Sequence, residues 1–548
     1  MKKILPGILV TLCCSAIAFS QSDHQMQMAR AEKPASLMSG MGAHHHPVST
    51  TNPEAQRFFD QGFSYLYAFN HQEAIRSFTR AAELDPDMAM AYWGIALSLG
   101  PNINLDVDPF REKSAYEAAQ KARLLSAKAP PNERAYINAV VARYSIDPNA
   151  DLKKLAVDYK NAMGELVKEY PNDLDAATLY AESAMDLRPW QLWTLDGKPA
   201  AGTEEIIAVL ESVLRRDPNH IGAIHYYIHT VEASPNPERA LVYAAKLPNL
   251  IPAAGHLVHM PAHIYQRTGD YEAAARSNRD AAEADRVLFK LSGDTGMYPV
   301  MYYNHNLHFL AVARSMEGRF ADAMNAALQL EASAAPHVKE MPMLGRFMQT
   351  SALMLVRFRR WNDILKLPSP GADATDISLV RHFARGMAYA ATGNLAGAEG
   401  EQKVFVTVAQ GAPARMRHGA DVMGDILHLA EKTLSARIAL ARNDRKAAID
   451  LLRQAVEVQD SMAYDEPPPW FLPVRESLGG VLIQNGDYGE AEKVFRADLE
   501  RNKRNGRSLF GLMHALKAQN KTEAASLVQR EFENAWKYAD TRLKLKDL

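Results

Sequence analysis

Beyond Cys14 the chain contains no cysteine. Disulfides, thiolate nucleophiles and cysteine-bound metals are therefore excluded from everything after that position. No apolar run of 18 residues follows the first 20, so no spanning helix is expected downstream of them. Charge is almost balanced, with 62 Lys and Arg against 64 Asp and Glu. That provides no basic field for nucleic acid or an anionic membrane surface. A phosphate loop, a dinucleotide fingerprint, a nucleophile elbow and the kinase motif set are all missing.

What is present favours helix: Ala, Leu, Met, Glu, Arg and Lys dominate a chain of 548 residues. That length exceeds one ordinary core and calls for several domains or a repeat array. The first 20 residues have the pattern of an export leader. Lys2 and Lys3 precede an apolar stretch from Ile4 to Ile17, and Ala18-Phe19-Ser20 supplies small-x-small before Gln21. Leu12 before Cys13 is not the small residue a lipid-anchored leader wants, so simple cleavage and a periplasmic or secreted chain are expected. Residues 21–52 show no period and are expected as a flexible, disordered tail. They hold His24, Met26, Met28, Met38, Met41 and His44-His45-His46. The tail reads either as solvated linker or as a metal-capturing arm, since His and Met bind soft and borderline ions.

From Pro53 a repeat begins. Gly62, Tyr65, Ala74, Phe78, Ala81 and Pro86 stand at positions 8, 11, 20, 24, 27 and 32 of a 34-residue unit. Small residues at 8 and 20 let two helices approach, bulky ones at 11 and 24 fill between them, and proline at 32 ends the pair. This spacing resembles the tetratricopeptide repeat (TPR). Further units phase from Ala89, Leu174, Ile221, Gly255, Asn304, Gly345, Leu379, Leu429, Leu472 and Gly506. Insertions fall at 189–193, 292–301 and 467–470. The expected architecture is an all-α, TPR-type αα solenoid over residues 53–548, behind a leader over 1–20 and a tail over 21–52.

Histidine is concentrated in the middle. In a frame fixed by alanines and turns, His225, His259 and His308 share position 5, His229 and His263 share position 9, and His256 and His305 share position 2. Positions 2, 5, 9 and 12 lie on one stripe of helix A. Glu182 at position 9 of an earlier unit, Asp186 four residues on, and Glu232 at position 12 join that face. Adjacent A helices pack about 8–10 Å apart, so imidazoles from neighbouring units can meet at one ion. Imidazole with carboxylate suits a divalent zinc, copper, iron or manganese ion. Histidines satisfied by carbonyls, carboxylates and tyrosines are the competing reading. Pro261, between His259 and His263, either kinks helix A or starts it.

Two other segments are candidates for the ligand-binding groove: Asn102 and Asn104 in Gly100–Asn104, and Asp465, Glu466, Trp470 and Arg475 in the proline-rich stretch 465–476. Each also reads as plain connection or packing.

The phrases His-Tyr-Tyr-Ile-His at 225, Gly-His-Leu-Val-His-Met-Pro-Ala-His-Ile-Tyr at 255 and Tyr-Asn-His-Asn-Leu-His-Phe-Leu at 303 resemble those of large exported bacterial TPR proteins without a settled activity. Membership of the TPR superfamily implies a concave groove that takes a peptide, protein or small ligand. Three functions stay open: a binding protein with a His/carboxylate metal site in the groove, a metal-free interaction scaffold, and a metal-dependent enzyme.

Overall fold

The computed structural model describes residues 35–293, 296–368, 376–411 and 422–548. The leader and residues 21–34 of the tail lie outside this set. Twenty-six α-helices follow one another. The first nine are α1 (Pro53–Tyr67), α2 (His71–Leu84), α3 (Ala89–Leu99), α4 (Pro109–Leu125), α5 (Pro131–Val141), α6 (Leu152–Glu169), α7 (Leu174–Met185), α8 (Thr203–Arg216) and α9 (Ile221–Val231). The middle holds α10 (Leu241–Ala244), α11 (Leu247–Leu250), α12 (Gly255–His259), α13 (Pro261–Thr268), α14 (Tyr271–Ser292), α15 (Asn304–Met316), α16 (Phe320–Ala334), α17 (Thr350–Arg357) and α18 (Trp361–Lys366). The last eight are α19 (Asp376–Ala391), α20 (Leu395–Gly411), α21 (Val422–Ala441), α22 (Arg445–Ser461), α23 (Val474–Asn485), α24 (Tyr488–Arg501), α25 (Gly506–Ala518) and α26 (Thr522–Ala535). The described residues contain no strand, only two isolated bridges at Asn102–Leu105 and Trp193–Pro199. No described helix is long and apolar enough to cross a membrane.

Consecutive helices pack as pairs and each pair packs on the next, the layout of a TPR-type αα solenoid. One contact shows how the sequence builds it. The Phe78 ring lies against Gly62 of its own pair and Gly94 of the next, where a Cβ would come within 2.9 and 2.6 Å of the ring. Phe495 fills the same role between Gly479 and Gly511 far down the chain. Phe78 and Phe495 both stand at position 24 of the repeat. Side chains at those glycines would overpack the joint by about 1–3 kcal/mol. Helix starts are set by side-chain caps: Asn52, Asp108, Asp151, Asp173, Asp270 and Asp444 each accept a backbone N–H in the first turn.

The repeat frame and the helices agree at Ala89, Leu174, Ile221, Gly255, Asn304 and Gly506, each the first residue of a helix. It needs correction elsewhere. The pair α5 and α6 is a unit the frame lacks, because residues 142–151 between the two helices exceed a repeat turn. Around Gly345 the chain is a 3-10 segment, Pro342–Gln349, and the helix begins only at Thr350. Helices α19 and α21 begin ahead of Leu379 and Leu429.

Over 35–52 the tail is irregular, as its lack of period suggests, but it is anchored to the solenoid. Met38 N–H donates to Gln61 Oε1 at 2.7 Å, and His46 is buried against Asp175, its Nδ1 2.8 Å from Oδ2.

Candidate metal centre

Two apolar cores, one spanning residues 41–288 and one spanning 311–548, fill most of the solenoid. The histidines lie at the seam. His225, His229, His256, His259 and His263 are at most 6% exposed. They are buried against one another rather than singly among aliphatic side chains. Ring centroids are 4.9 Å apart for His225–His229 and His225–His256, and 4.7 and 4.8 Å apart for His259–His263 and His259–His305.

Local structure aims them. Helix α9 presents His225 and His229 one turn apart. Pro261 removes one helix bond, but Met260 keeps helical angles (φ −50°, ψ −36°), so α12 and α13 continue as one broken helix. His256, His259 and His263 therefore all face the seam. Gly255 admits α14 closely, since a side chain there would overlap the Asp285 carboxylate. Asp285 accepts from Tyr298 Oη at 3.1 Å and Asn306 Nδ2 at 2.9 Å, and Tyr298 Oη accepts the His256 N–H at 3.0 Å. Burial raises the Asp285 carboxyl to about 7. A π-helical turn, Pro299–Tyr303, leads into α15 and sets Tyr302 against His256 with centroids 4.7 Å apart.

The outer ring nitrogens fix the tautomers. His225 Nδ1 lies 2.6 Å from the Tyr67 carbonyl, which only accepts, so the proton is on Nδ1. His229 Nδ1 donates to Glu232 Oε1 at 3.0 Å. His259 Nδ1 faces Asn278 Oδ1 at 2.7 Å, and the Asn278 amide nitrogen donates to Ala274 O at 2.8 Å, which makes Oδ1 the acceptor. In all three the Nε2 lone pair is left facing inward. His229 Nε2 is buried with no hydrogen-bond partner. His256 Nε2 faces His225 Nε2 at 3.1 Å, and His263 Nε2 faces His259 Nε2 at 2.7 Å. Such a pair is stable only with a proton or a cation on the line between the nitrogens.

Carboxylates close the ring of contacts. His263 Nδ1 stands 2.5 Å from Glu232 Oε2 and 3.1 Å from Glu466 Oε2, neither aligned as a hydrogen bond. Both Glu466 oxygens and Glu232 Oε2 are buried without hydrogen-bond donors. Burial opposes charge on His263, but Glu232 and Glu466 override it and raise the imidazole to about 10. Burial likewise opposes the Glu232 anion and is overcome by His263 and His229, which bring it to about 2. Burial lifts Glu466 to about 7. His225, His256, His259 and His305 are pushed well below 6.5 by burial and then by neighbouring imidazoles or, for His259, mainly His263. Burial also lowers His229. These five are neutral at pH 7, the form that ligates.

The expected inner stripe thus converges, but inside a closed seam. Glu466, from the loop after α22, and Phe69, from the turn after α1, pack across it. His305 and His308 on α15, and Tyr302 in the turn before it, keep partial exposure.

Several sequence candidates stand elsewhere. His308 packs edge-on against Phe347 and Phe471 at 5.6 and 5.9 Å, and burial lowers it to about 3. Glu182 and Asp186 form an acid pair raised by burial, with Arg143 Nη2 2.7 Å from Asp186 Oδ2. Asn102 closes its own turn by accepting from Asn104 and Leu105 N–H, and Asn104 Nδ2 reaches Tyr302 Oη only at 3.5 Å. Asp465 is half-buried and accepts the Glu466 N–H at 2.9 Å. Trp470 is a core plug stacked edge-on against Phe383 at 5.3 Å, and Arg475 pairs with Asp460 at 2.7 and 2.5 Å. The packing reading therefore holds for Trp470 and Arg475, while Glu466 enters the centre.

Sequence reasoning missed Tyr67, Phe69, Asn278 and Phe309. Asn278 had a signal: it occupies position 24, where Phe78 and Phe495 stand in other units. The tail histidines singled out in the sequence meet a partner it did not indicate. Asp175 is contacted by His44 Nε2 at 3.2 Å, His46 Nδ1 at 2.8 Å, His220 Nε2 at 3.2 Å and Tyr67 Oη at 2.7 Å. His220 Nδ1 accepts the Ala223 N–H at 3.1 Å as a helix cap, so its proton sits on Nε2. Asp175 thus receives hydrogen bonds from His46 and Tyr67, with His44 and His220 as ion-pair contacts.

No family model and no curated protein matches the chain. Among solved structures, human IFIT1, crystallised as a dimer with PPP-AAAA, is 14% identical over 88% of this chain and 89% of its own, with a TM-score of 0.33. Yeast Tom70 is 13% identical over 88% and 90%, TM-score 0.30. Cut9 in the APC/C hetero-tetramer Cut9-Hcn1 is 11% identical over 89% and 74%, TM-score 0.30. Superposition this poor carries no argument about function, and the repeat assignment rests on the helix pairs and their glycine–phenylalanine joints.

Proposed function

We propose that the protein is an exported solenoid that binds a divalent transition metal through imidazoles from consecutive A helices. The single observation behind this reading is the outer anchoring of the rings. His225, His229 and His259 each hand their Nδ1 proton to an oxygen acceptor, and their Nε2 lone pairs turn inward. Oxygen acceptors behind ligating histidines are the usual outer support of metal sites. The His229 lone pair is buried with no hydrogen-bond partner, and an unmet polar atom costs about 1–3 kcal/mol in a chain that needs its histidines only as structure. Zinc, copper, iron and manganese all suit the donor set. Export is proposed from the leader pattern of residues 1–20.

The test is elemental analysis of the purified full chain, as expressed and after reconstitution with each of these ions. Stoichiometric metal in the wild type, reduced in His259→Ala and His263→Ala, supports the reading. Binding at pH 7 also displaces protons, detectable in weakly buffered solution. A wild type that stays metal-free after reconstitution ends it and leaves an interaction scaffold.

A further inference from the structure

We propose that the centre is built for two ions, one in each of two histidine triads; this rests on the metal-binding reading above. The imidazoles fall into two groups, His225/His229/His256 and His259/His263/His305, and within each group the ligand atoms lie within 4.8 Å of one another. Nitrogens bound to one ion at 2.0–2.1 Å stand at most about 4.2 Å apart, so a small ring rotation closes each triad on its own ion. Six imidazoles exceed the four positions of a tetrahedral ion.

Three features divide the centre along the same line. Each triad has one facing pair of nitrogens, His225–His256 at 3.1 Å and His259–His263 at 2.7 Å. Each has its own phenylalanine lid. Phe69 touches the rings of His225, His229 and His256 at 4.5, 6.1 and 5.7 Å. Phe309 touches those of His259, His263 and His305 at 5.0, 5.1 and 5.3 Å. Phe69 holds φ at 53°, the left-handed region, which is strained for a residue with a Cβ. The same turn leaves the Tyr67 carbonyl to His225. Finally, Glu232 assigns one oxygen to each triad, Oε1 to His229 at 3.0 Å and Oε2 to His263 at 2.5 Å. Glu232 is thus a positioning residue shared by two sites. Three protein nitrogens per ion leave a fourth position for an outside ligand.

The experiment is a titration of the metal-free full chain with Zn2+ alone, and with Co2+ followed by its visible absorption. Two ions per wild-type chain are expected, one in His256→Ala, one in His305→Ala and none in the double variant, with the two single-variant Co2+ spectra summing to the wild type. Glu232→Gln is expected to weaken both ions about tenfold to a hundredfold. A wild-type count of one, or loss of both ions from either single variant, overturns the two-ion proposal while leaving the metal reading intact. A count of zero overturns the metal reading itself. An effect of Glu232→Gln on only one ion overturns the shared role of that carboxylate. Should a histidine variant fail to fold by circular dichroism, the wild-type count and the number of Co2+ absorption phases decide.

Discussion

Two of the polar clusters buried in the solenoid are built on opposite terms. In the C-terminal half Glu476 receives Arg507 at 2.6 Å, Arg357 at 3.3 Å and Asn505 at 2.9 Å, while Asp498 accepts from Asn505 and Ser508 at 2.8 and 2.6 Å. Every member has a protein partner. The histidine centre has a similar depth of burial, yet it leaves the His229, His256, His263, Glu232 and Glu466 ring or carboxylate atoms without aligned partners. A buried network that is fully satisfied acts as structure, and one held open to the same depth is shaped for something added.

The contrast can be broken most strongly at Glu476. Glu476→Ala strands two buried guanidiniums and is expected to cost about 3–5 kcal/mol in denaturant unfolding, with no dependence on added metal. If metal rescued that variant, the separation of the two clusters would fail. The histidine centre should behave in the reverse way. Zinc at a hundred times its dissociation constant is expected to stabilise the wild type by about 2.7 kcal/mol per site, and a chelator to remove the gain. Asn278→Ala frees the His259 ring and should weaken zinc binding about tenfold, near 1.4 kcal/mol, measured by competition with a chromophoric chelator.

The smallest effect concerns the tail. Burial opposes charge on His46, but the bond to Asp175 raises it above 6.5; its contribution is complete below 6.5 and lost as pH rises through the folded value. Burial opposes the Asp175 anion, yet the surrounding histidines hold it well below 3.8; its contribution is present above 3.8 and lost as pH falls through the folded value. Residues 35–52 should therefore be best protected from hydrogen exchange between these limits, near pH 5–6, and exchange faster at pH 8.5. Equal protection at the two pH values would show that the tail is held by packing alone.

Much of this was legible in the residues. The small and bulky positions of the repeat predicted the helix starts at Ala89, Ile221, Gly255 and Asn304, because close helix approach leaves few choices at those positions. The histidine register predicted convergence, because three positions on one helix face meet wherever A helices are stacked. The rest depended on things a repeat frame does not carry. Tyr67 acts through its carbonyl, which every residue has. Phe69 acts through a backbone angle. Glu466 comes from a loop whose landing place is set by three-dimensional packing, and His308, sharing position 5 with His225 and His259, is turned away by Phe347 and Phe471.

That landing of Glu466 on His263 has a kinetic consequence. Glu466, which closes one side of the seam, belongs to a repeat far along the chain, so that side stays unlidded until the C-terminal half has docked. An ion leaving on that side has to wait for the loop to lift. Release would then follow the opening rate of the proline-rich loop and slow as the loop is stiffened, whatever the intrinsic strength of the nitrogen–metal bonds.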